Sequence, residues 1–501
     1  VQVHQPEPRK VRALPDNEGQ VLSRWEELSK QIDEDPDEAV RQASKALDQN
    51  PEDPLHLFVI AETFSRAERY GLALNLYHRI VQIIPHKPEG WNNLGMCLSG
   101  LGQSLKAREA FFKAYNLDKT SAMFSANIGM TFFTEREYKK AIEWCLKSLA
   151  LDPAGKAAKN TLGMCYLATG IWEKGWDLYA ASVGGKFRRQ IQYQNEGLWT
   201  GEPGQTVVFY GEQGLGDEIM FASCIGDAAK VCTPILECDA RLEALFRRSF
   251  PGIEIHGTRR QKELEWLRGK EIDASLPVGQ LPQFFRRSTK DCPGTPYLVA
   301  DPERRLQWRA LFKSLGPKPK IGIAWSGGSK HNKPRERAIG LETMRPLIEA
   351  IDADWISLQY KDPAAEIKQT ALPIRHYKRA CETDDYDDTA AMVAELDMVI
   401  GVHTSVHHLA GALGVPGIVL VPSKTIWLWS MESMPWYSTA TLFKQKDGES
   451  WGNTIKRLIH DPCLLRVRSP RSASVSRLHS IADPDGAASA GDHPACLAAV
   501  A

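Results

Sequence analysis

Gly95, Gly129 and Gly163 recur at a spacing of 34 residues (129 − 95 = 163 − 129 = 34). In the same register stand Ala39, Ala73, Ala107, Ala141 and Gly175, then Leu94, Ile128 and Leu162, and a bulkier set of Tyr77, Phe111, Cys145 and Tyr179. Pro51, Pro85 and Pro153 close three of these units, and Lys119 takes that place in another. Small residues at fixed positions let two antiparallel helices approach closely, larger ones fill the gap, and proline stops the second helix. A unit of this size cannot bury its apolar face alone, so it must stack on its neighbours.

Period and pattern together resemble tetratricopeptide repeats. Five units fit, from about Gln20 to about Lys186, the first being the most degenerate, which gives a repeat domain over 20–187. A solenoid of this kind offers a concave groove for a protein partner. Asn93 and Asn127 share one repeat position, but Val59 and Thr161 interrupt the ladder on either side. Stacking between helices is therefore the expected role of these two asparagines.

With 501 residues, the chain exceeds one ordinary core, and 43% hydrophobic and 25% charged residues match a soluble globular protein. Lys and Arg total 62, as do Asp and Glu, so no bulk attraction to nucleic acid is expected. The ten cysteines are scattered without a CxxC pair, which predicts reduced thiols in a cytoplasmic compartment. No apolar run is long enough to span a bilayer, and the amino terminus is polar rather than signal-like.

From Thr206 the pattern changes to strand, glycine loop and helix. Thr206–Tyr210 is a buried-type strand, GEQGLGD (Gly211–Asp217) a flexible loop, and Glu218–Lys230 carries helical spacing. Strands at Pro234–Glu237 and Ile253–His256 complete a parallel α/β reading over 204–300. Gly211, Gly214 and Gly216 do not make GxGxxG, and no acidic ribose-binding residue follows, so a dinucleotide site is a poor reading. Asp217 either caps the following helix or projects into a cleft as a general base.

A second α/β unit spans 318–462, with strands at Ile321–Trp325, Trp355–Gln359, Met398–Val402 and Gly417–Val421. Between the last two, His403, Thr404 and Ser405 form a polar turn that opens a helix of small residues. Such a turn gathers free N–H groups, hydroxyls and a positive helix end at the carboxyl edge of a sheet, where phosphates bind. The loop Ser326–Arg337 leaves the same edge and carries Lys330, Lys333, Arg335 and Arg337 against one Glu336. Two positive elements on one edge favour a diphosphate site. The acidic run Asp384–Asp388 is read as a solvated turn whose last residue caps a helix, not as a metal site. His407 and His408 are adjacent on a helix and point to different sides. Trp427, Trp429, Trp436 and Tyr437 are read as packing anchors for the chain's return to the first α/β unit. Beyond Leu464 the Ser/Arg/Ala-rich segment 465–501 is expected to be disordered.

Five segments in order, GEQGLGDEIMFA, the basic loop after Ala324–Trp325, DTAAMVAELDMVI, TSVHHLAGALGVPGIVLVP and SMPWYSTATLFKQ, resemble bacterial tetratricopeptide-repeat glycosyltransferases. Those proteins are related to ADP-heptose:lipopolysaccharide heptosyltransferases, and the likeness runs from about Gln20 to about His460. The resemblance implies a GT-B fold, with an acceptor on the first Rossmann-like domain and a nucleotide-sugar on the second. It implies that Asp217 is the catalytic base, flanked by Gly214 and Gly216 in the cleft loop. It also implies donor contacts from Lys330 or Lys333, Arg337, His403, Thr404, Ser405 and His408, and inversion without a metal or resident cofactor. One departure stands out: His403 occupies the place of the family's aspartate, a residue with more acceptor sites than imidazole.

Two functions compete at this point. One is a glycosyltransferase moving sugar from a nucleotide-sugar donor to a protein or polysaccharide acceptor recruited by the repeats. The layout also resembles protein O-GlcNAc transferases, which implies a Ser/Thr acceptor. The other is a non-catalytic interaction protein with a degenerate GT-B domain, in which the repeats carry the function.

Overall fold

The computed structural model describes residues 2–3, 18–47, 53–185, 188–327, 338–382 and 384–467. Its first third is helical, paired as Glu18–Glu34 with Pro36–Leu47, Pro54–Arg66 with Tyr70–Ile83, Pro88–Gly100 with Ser104–Leu117, Ala122–Thr134 with Tyr138–Leu151, and Lys156–Ala168 with Trp172–Tyr179. A Cβ on Gly95 would lie 2.6 Å from Phe111 Cε1, and one on Gly129 would lie 2.8 Å from Cys145 Sγ. The paired helices therefore reach their separation only because these positions lack a side chain. Ala39, Ala73, Ala107 and Ala141 are fully buried behind them. The turn inside the last four pairs repeats too: Glu68, Gly102, Arg136 and Gly170, 34 residues apart, all adopt positive φ.

The asparagines bind within the stack. Asn93 Nδ2 donates to the Tyr77 hydroxyl at 3.2 Å, and Asn127 Nδ2 donates to Asn92 Oδ1 at 2.7 Å.

Short strands β1 (Gln2–Val3) and β2 (Ile191–Gln192) pair antiparallel beside the solenoid's exit. Next come β3 (Gly197–Leu198), β4 (Thr206–Tyr210), β5 (Thr233–Glu237), β6 (Glu254–His256) and β7 (Ala274–Pro277), parallel neighbours in the order β3-β7-β4-β5-β6. A second parallel sheet holds β8 (Lys320–Ala324), β9 (Asp354–Ser357), β10 (Ile374–His376), β11 (Met398–Val402), β12 (Gly417–Val421) and β13 (Ala440–Lys444) in the order β10-β9-β8-β11-β12-β13. Each sheet has a topological switch point, between β4 and β7 in the first and between β8 and β11 in the second, and ligands of open α/β sheets bind at such points.

Three expectations need correction. The helix read over Glu218–Lys230 breaks into Leu215–Ala222 and Ile225–Ala228. At the break, Arg286 Nη2 donates to the Ser223 carbonyl at 2.9 Å, diverting it from helical bonding. The helix read as opening at Asp388 runs Tyr386–Ala394 and is capped by Asp385, whose Oδ1 accepts from Asp388 N at 3.3 Å. Asp387 and Asp388 are buried rather than solvated, because Arg248 and the Trp308 indole N–H engage them. Finally, the late tryptophans anchor on the last solenoid helix. Trp427 lies 5.5 Å from Trp176, and Trp436 lies 5.0 Å from Trp172, ring centre to ring centre. One apolar core thus runs from that helix through both α/β units.

The nine described cysteines are all free thiols. Among the described residues no helix is long and apolar enough to cross a membrane. From 468 onward, the segment expected to be disordered lies outside the described residues.

Candidate functional site

The loop after β4 is pinned on both sides by buried carboxylates that composition alone does not single out. Glu212 accepts from Arg188 Nε at 3.0 Å and from Gln213 Nε2 at 2.9 Å. Arg188 also donates to the Tyr179 carbonyl at 3.1 Å, tying the loop to the last solenoid helix. Glu218 accepts from Asp239 N at 2.9 Å and from Arg259, and burial pushes its carboxyl up to about 7. A Cβ on Gly211 would strike the Glu218 carboxyl carbon at 2.3 Å, so the glycine is what lets this side chain fold back under the loop. The loop expected to be flexible is therefore fixed at both ends.

Between these anchors, Gly214 precedes the helix Leu215–Ala222, and Asp217 stands half-buried in its first turn. Asp217 Oδ2 accepts the Gly214 N–H at 3.1 Å, a one-sided cap that holds the carboxylate at the helix amino end.

On the second sheet, Thr404 stands at the N-cap position of the helix Ser405–Ala412 without a side-chain capping bond. Its Oγ1 is buried and finds no hydrogen-bond partner. Gly327, at the end of the described part of the loop after β8, lies against it; a Cβ there would meet Thr404 Cγ2 at 2.4 Å. The described start of the predicted loop thus lies against the turn. Lys330, Lys333 and Arg337 lie outside the described residues.

The two switch points press on each other. A Cβ on Gly216 would lie 2.8 Å from His408 Cδ2 and 3.1 Å from Ser405 Cα. His408 Nδ1 is 3.1 Å from the Tyr437 hydroxyl, which is 3.4 Å from the Tyr297 hydroxyl, and Tyr297 donates to the Ile219 carbonyl at 2.7 Å. This polar chain joins the Asp217 helix to the Thr404 helix. Sequence reading passed over Tyr297, which sits in a connector without periodicity, and read Tyr437 as packing alone.

The histidines separate as expected from their adjacency. His407 Nε2 is 3.0 Å from the Gly401 carbonyl inside the unit, whereas His408 faces the first unit. Burial pushes His407 down to about 4 and His408 down to about 3, so both rings are neutral near pH 7. His403 is buried with its ring 5.8 Å from that of Trp429. Among the described residues no three His, Cys, Asp or Glu side chains gather as a metal site would require.

With this geometry in place, similarity to known proteins bears first on the solenoid. The family model of the tetratricopeptide repeat matches residues 88–121 and 125–154. The first third carries tetratricopeptide repeats. Over 408 residues the chain is 28% identical to the protein FlbA of Caulobacter vibrioides, covering 74% of this chain and 66% of that relative. The chain therefore spans slightly less than two thirds of that relative's length. It is also 25% identical over 118 residues to the BBSome complex member BBS4 of Bos taurus, which covers 24% of this chain and 22% of that protein. Among solved structures, MamA is 21% identical and covers 31% of this chain and 90% of its own, with a TM-score of 0.28. The thermophilic repeat protein TTC0263 of Thermus thermophilus is 20% identical, covering 32% and 88%, with a TM-score of 0.29.

Proposed function

We propose that the chain is a protein-docking solenoid fixed rigidly to a two-sheet α/β body, and that holding a protein partner is its primary function. The observation that carries this reading is the uncovered inner face of the earlier repeats. Met96 and Met123, on the first helices of their pairs, are 42% and 43% exposed. The corresponding face of the last repeat packs against the body. The test places a photo-crosslinking residue at position 96 of the full-length protein, or at the exposed Lys113 on a second helix, in lysate of the source cell. Docking predicts a discrete protein adduct from position 96 and none from position 113; equal labelling from both sinks the reading.

A second reading concerns the body and is favoured by one geometric observation. Loops from both switch points meet where Gly216, the neighbour of Asp217, lies against Ser405 and His408. That juxtaposition suits a nucleotide-sugar-dependent glycosyltransferase. Thr404, Ser405 and the adjoining helix end would hold the diphosphate, with Lys330, Lys333 and Arg337 as the cations of the neighbouring loop. Asp217 would take the acceptor hydroxyl proton as that oxygen attacks the anomeric carbon and the nucleoside diphosphate leaves. In this reading the repeats present the acceptor. Thermal shift across UDP-, GDP- and ADP-sugars tests it: at least one should stabilise the protein, and Thr404→Ala should weaken that effect. Asp217→Asn should keep the shift and lose transfer; a silent panel leaves the docking protein alone.

A further inference from the structure

We infer that the open part of the groove receives an apolar, amphipathic helix of a partner protein, seated on a row of methionines. This rests on the docking reading above and gives its partner a chemistry. Met96, Met130 and Met164 each follow a register glycine and recur 34 residues apart (130 − 96 = 164 − 130 = 34). Helical periodicity places Met123, Asn127 and Met130 along one face of the helix Ala122–Thr134.

What covers this face at the far end of the solenoid is visible. Met164, Ala168 and Phe133 pack against the core containing Trp427, Leu428 and Trp429. These residues belong to the short helix Trp427–Ser430 of the second α/β unit. Lys424 Nζ is 2.6 Å from Glu135 Oε2, and Arg136 donates to the Ser423 carbonyl, so the same covering segment reaches the preceding repeat. The groove thus already holds one helix rich in tryptophan and leucine, and its open stretch continues that interface.

The open stretch has matching chemistry. Met96 and Met123 are exposed and Met130 is half-buried. Unbranched, polarisable thioethers adapt to aromatic and aliphatic side chains alike, as at other surfaces that seat apolar helices. The flanking register positions hold Glu89, Met123 and Ala157, then Asn93, Asn127 and Thr161, then Gly100, Thr134 and Ala168. None is cationic, so an acidic peptide finds no counter-charge along this row.

The experiment uses the full-length protein with 13C-labelled methionine methyls. It is titrated with two synthetic peptides of equal length: an amphipathic helix with Leu and Trp on one face and Gln and Ser on the other, and an acidic peptide without apolar residues. The amphipathic helix should shift Met96, Met123 and Met130, and a Met96→Glu, Met130→Glu variant with an unchanged thermal midpoint should bind it at least about tenfold more weakly. Failure of these three resonances to move, or undiminished binding by the variant, overturns the inference. Preferred binding of the acidic peptide also overturns it while leaving docking intact. Movement of the same resonances on concentrating the protein alone assigns the groove to a second copy, which overturns it as well.

Discussion

Arg248 and Asp387 clasp the two α/β units together. Arg248 Nη2 lies 2.6 Å from Asp387 Oδ1, and Nη1 lies 3.0 Å from Oδ2, a two-point pairing between helices Glu243–Ser249 and Tyr386–Ala394. The aspartate is buried and the arginine side chain is 22% exposed, so water cannot replace the lost partner cheaply. Arg304 with Asp385, at 2.5 Å, and the Trp308 indole with Asp388, at 2.8 Å, extend the clasp along the acidic run.

Asp387→Ala should therefore lower stability by about 3 kcal/mol, because it leaves a partly buried guanidinium with only the more distant Asp301, at 3.7 Å, as counter-charge. Replacing both residues, Arg248→Met with Asp387→Leu, should recover most of that loss. Urea unfolding of the three variants measures it, and an Asp387→Ala midpoint equal to wild type removes the clasp from the stability argument.

Gly216 gives a second prediction, on closure rather than charge. Its neighbours across the junction are a backbone carbon of Ser405 and the buried His408 ring, neither of which can yield without moving its helix. Gly216→Val should separate the two loops and cost on the order of 2 kcal/mol. Small-angle scattering should show a larger radius of gyration with the repeats still helical. An unchanged scattering curve and thermal midpoint would mean that the junction accommodates the side chain.

The solenoid was legible because its spacing is a packing rule: glycine opposite Phe111 or Cys145 leaves no other choice of residue. Strands β4, β11 and β12 were legible because buried parallel strands read as apolar runs. Strands β7, β10 and β13 were not, since ASLP, IRH and ATLFK are short or half-exposed and owe their form to the neighbour they pair with. At the candidate site, the approach of Gly327 to Thr404 followed from strand-end logic, since both leave one edge of one sheet. The supports did not: Glu212 finds Arg188 and Glu218 finds Arg259 across 24 and 41 residues, separations that no local pattern encodes.

The Arg188–Glu212 pair carries the third prediction. Both side chains are nearly inaccessible, at 4% and 0% exposure, and the pair joins the last repeat to the loop before Asp217. Arg188→Ala leaves a buried carboxylate uncompensated and should cost about 3–5 kcal/mol. Replacing both residues, Arg188→Met with Glu212→Leu, strands neither charge and should cost clearly less. If denaturant unfolding gives equal losses for the two, lost packing rather than stranded charge is the cause.

The last prediction concerns pH, where two buried groups act in opposite directions. His407 has its folded-state pKa pushed down to about 4, against about 6.5 in an unfolded chain. Between those values the unfolded chain binds more protons, so this contribution is complete above pH 6.5 and is lost as the pH falls towards 4. It is worth roughly 3 kcal/mol. Glu218 is pushed up by burial to about 7, so the folded chain holds its proton where the unfolded chain has released it. Its contribution is complete below the ordinary carboxylate range and is lost as the pH rises towards 7. Thermal midpoints measured from acid to neutral pH should separate the two. His407→Gln should flatten the acid-side loss, and Glu218→Gln should flatten the decline towards neutrality. If Glu218→Gln leaves the neutral side unchanged, Arg259 and the Asp239 N–H outweigh burial, and the carboxyl is ionised beneath the loop.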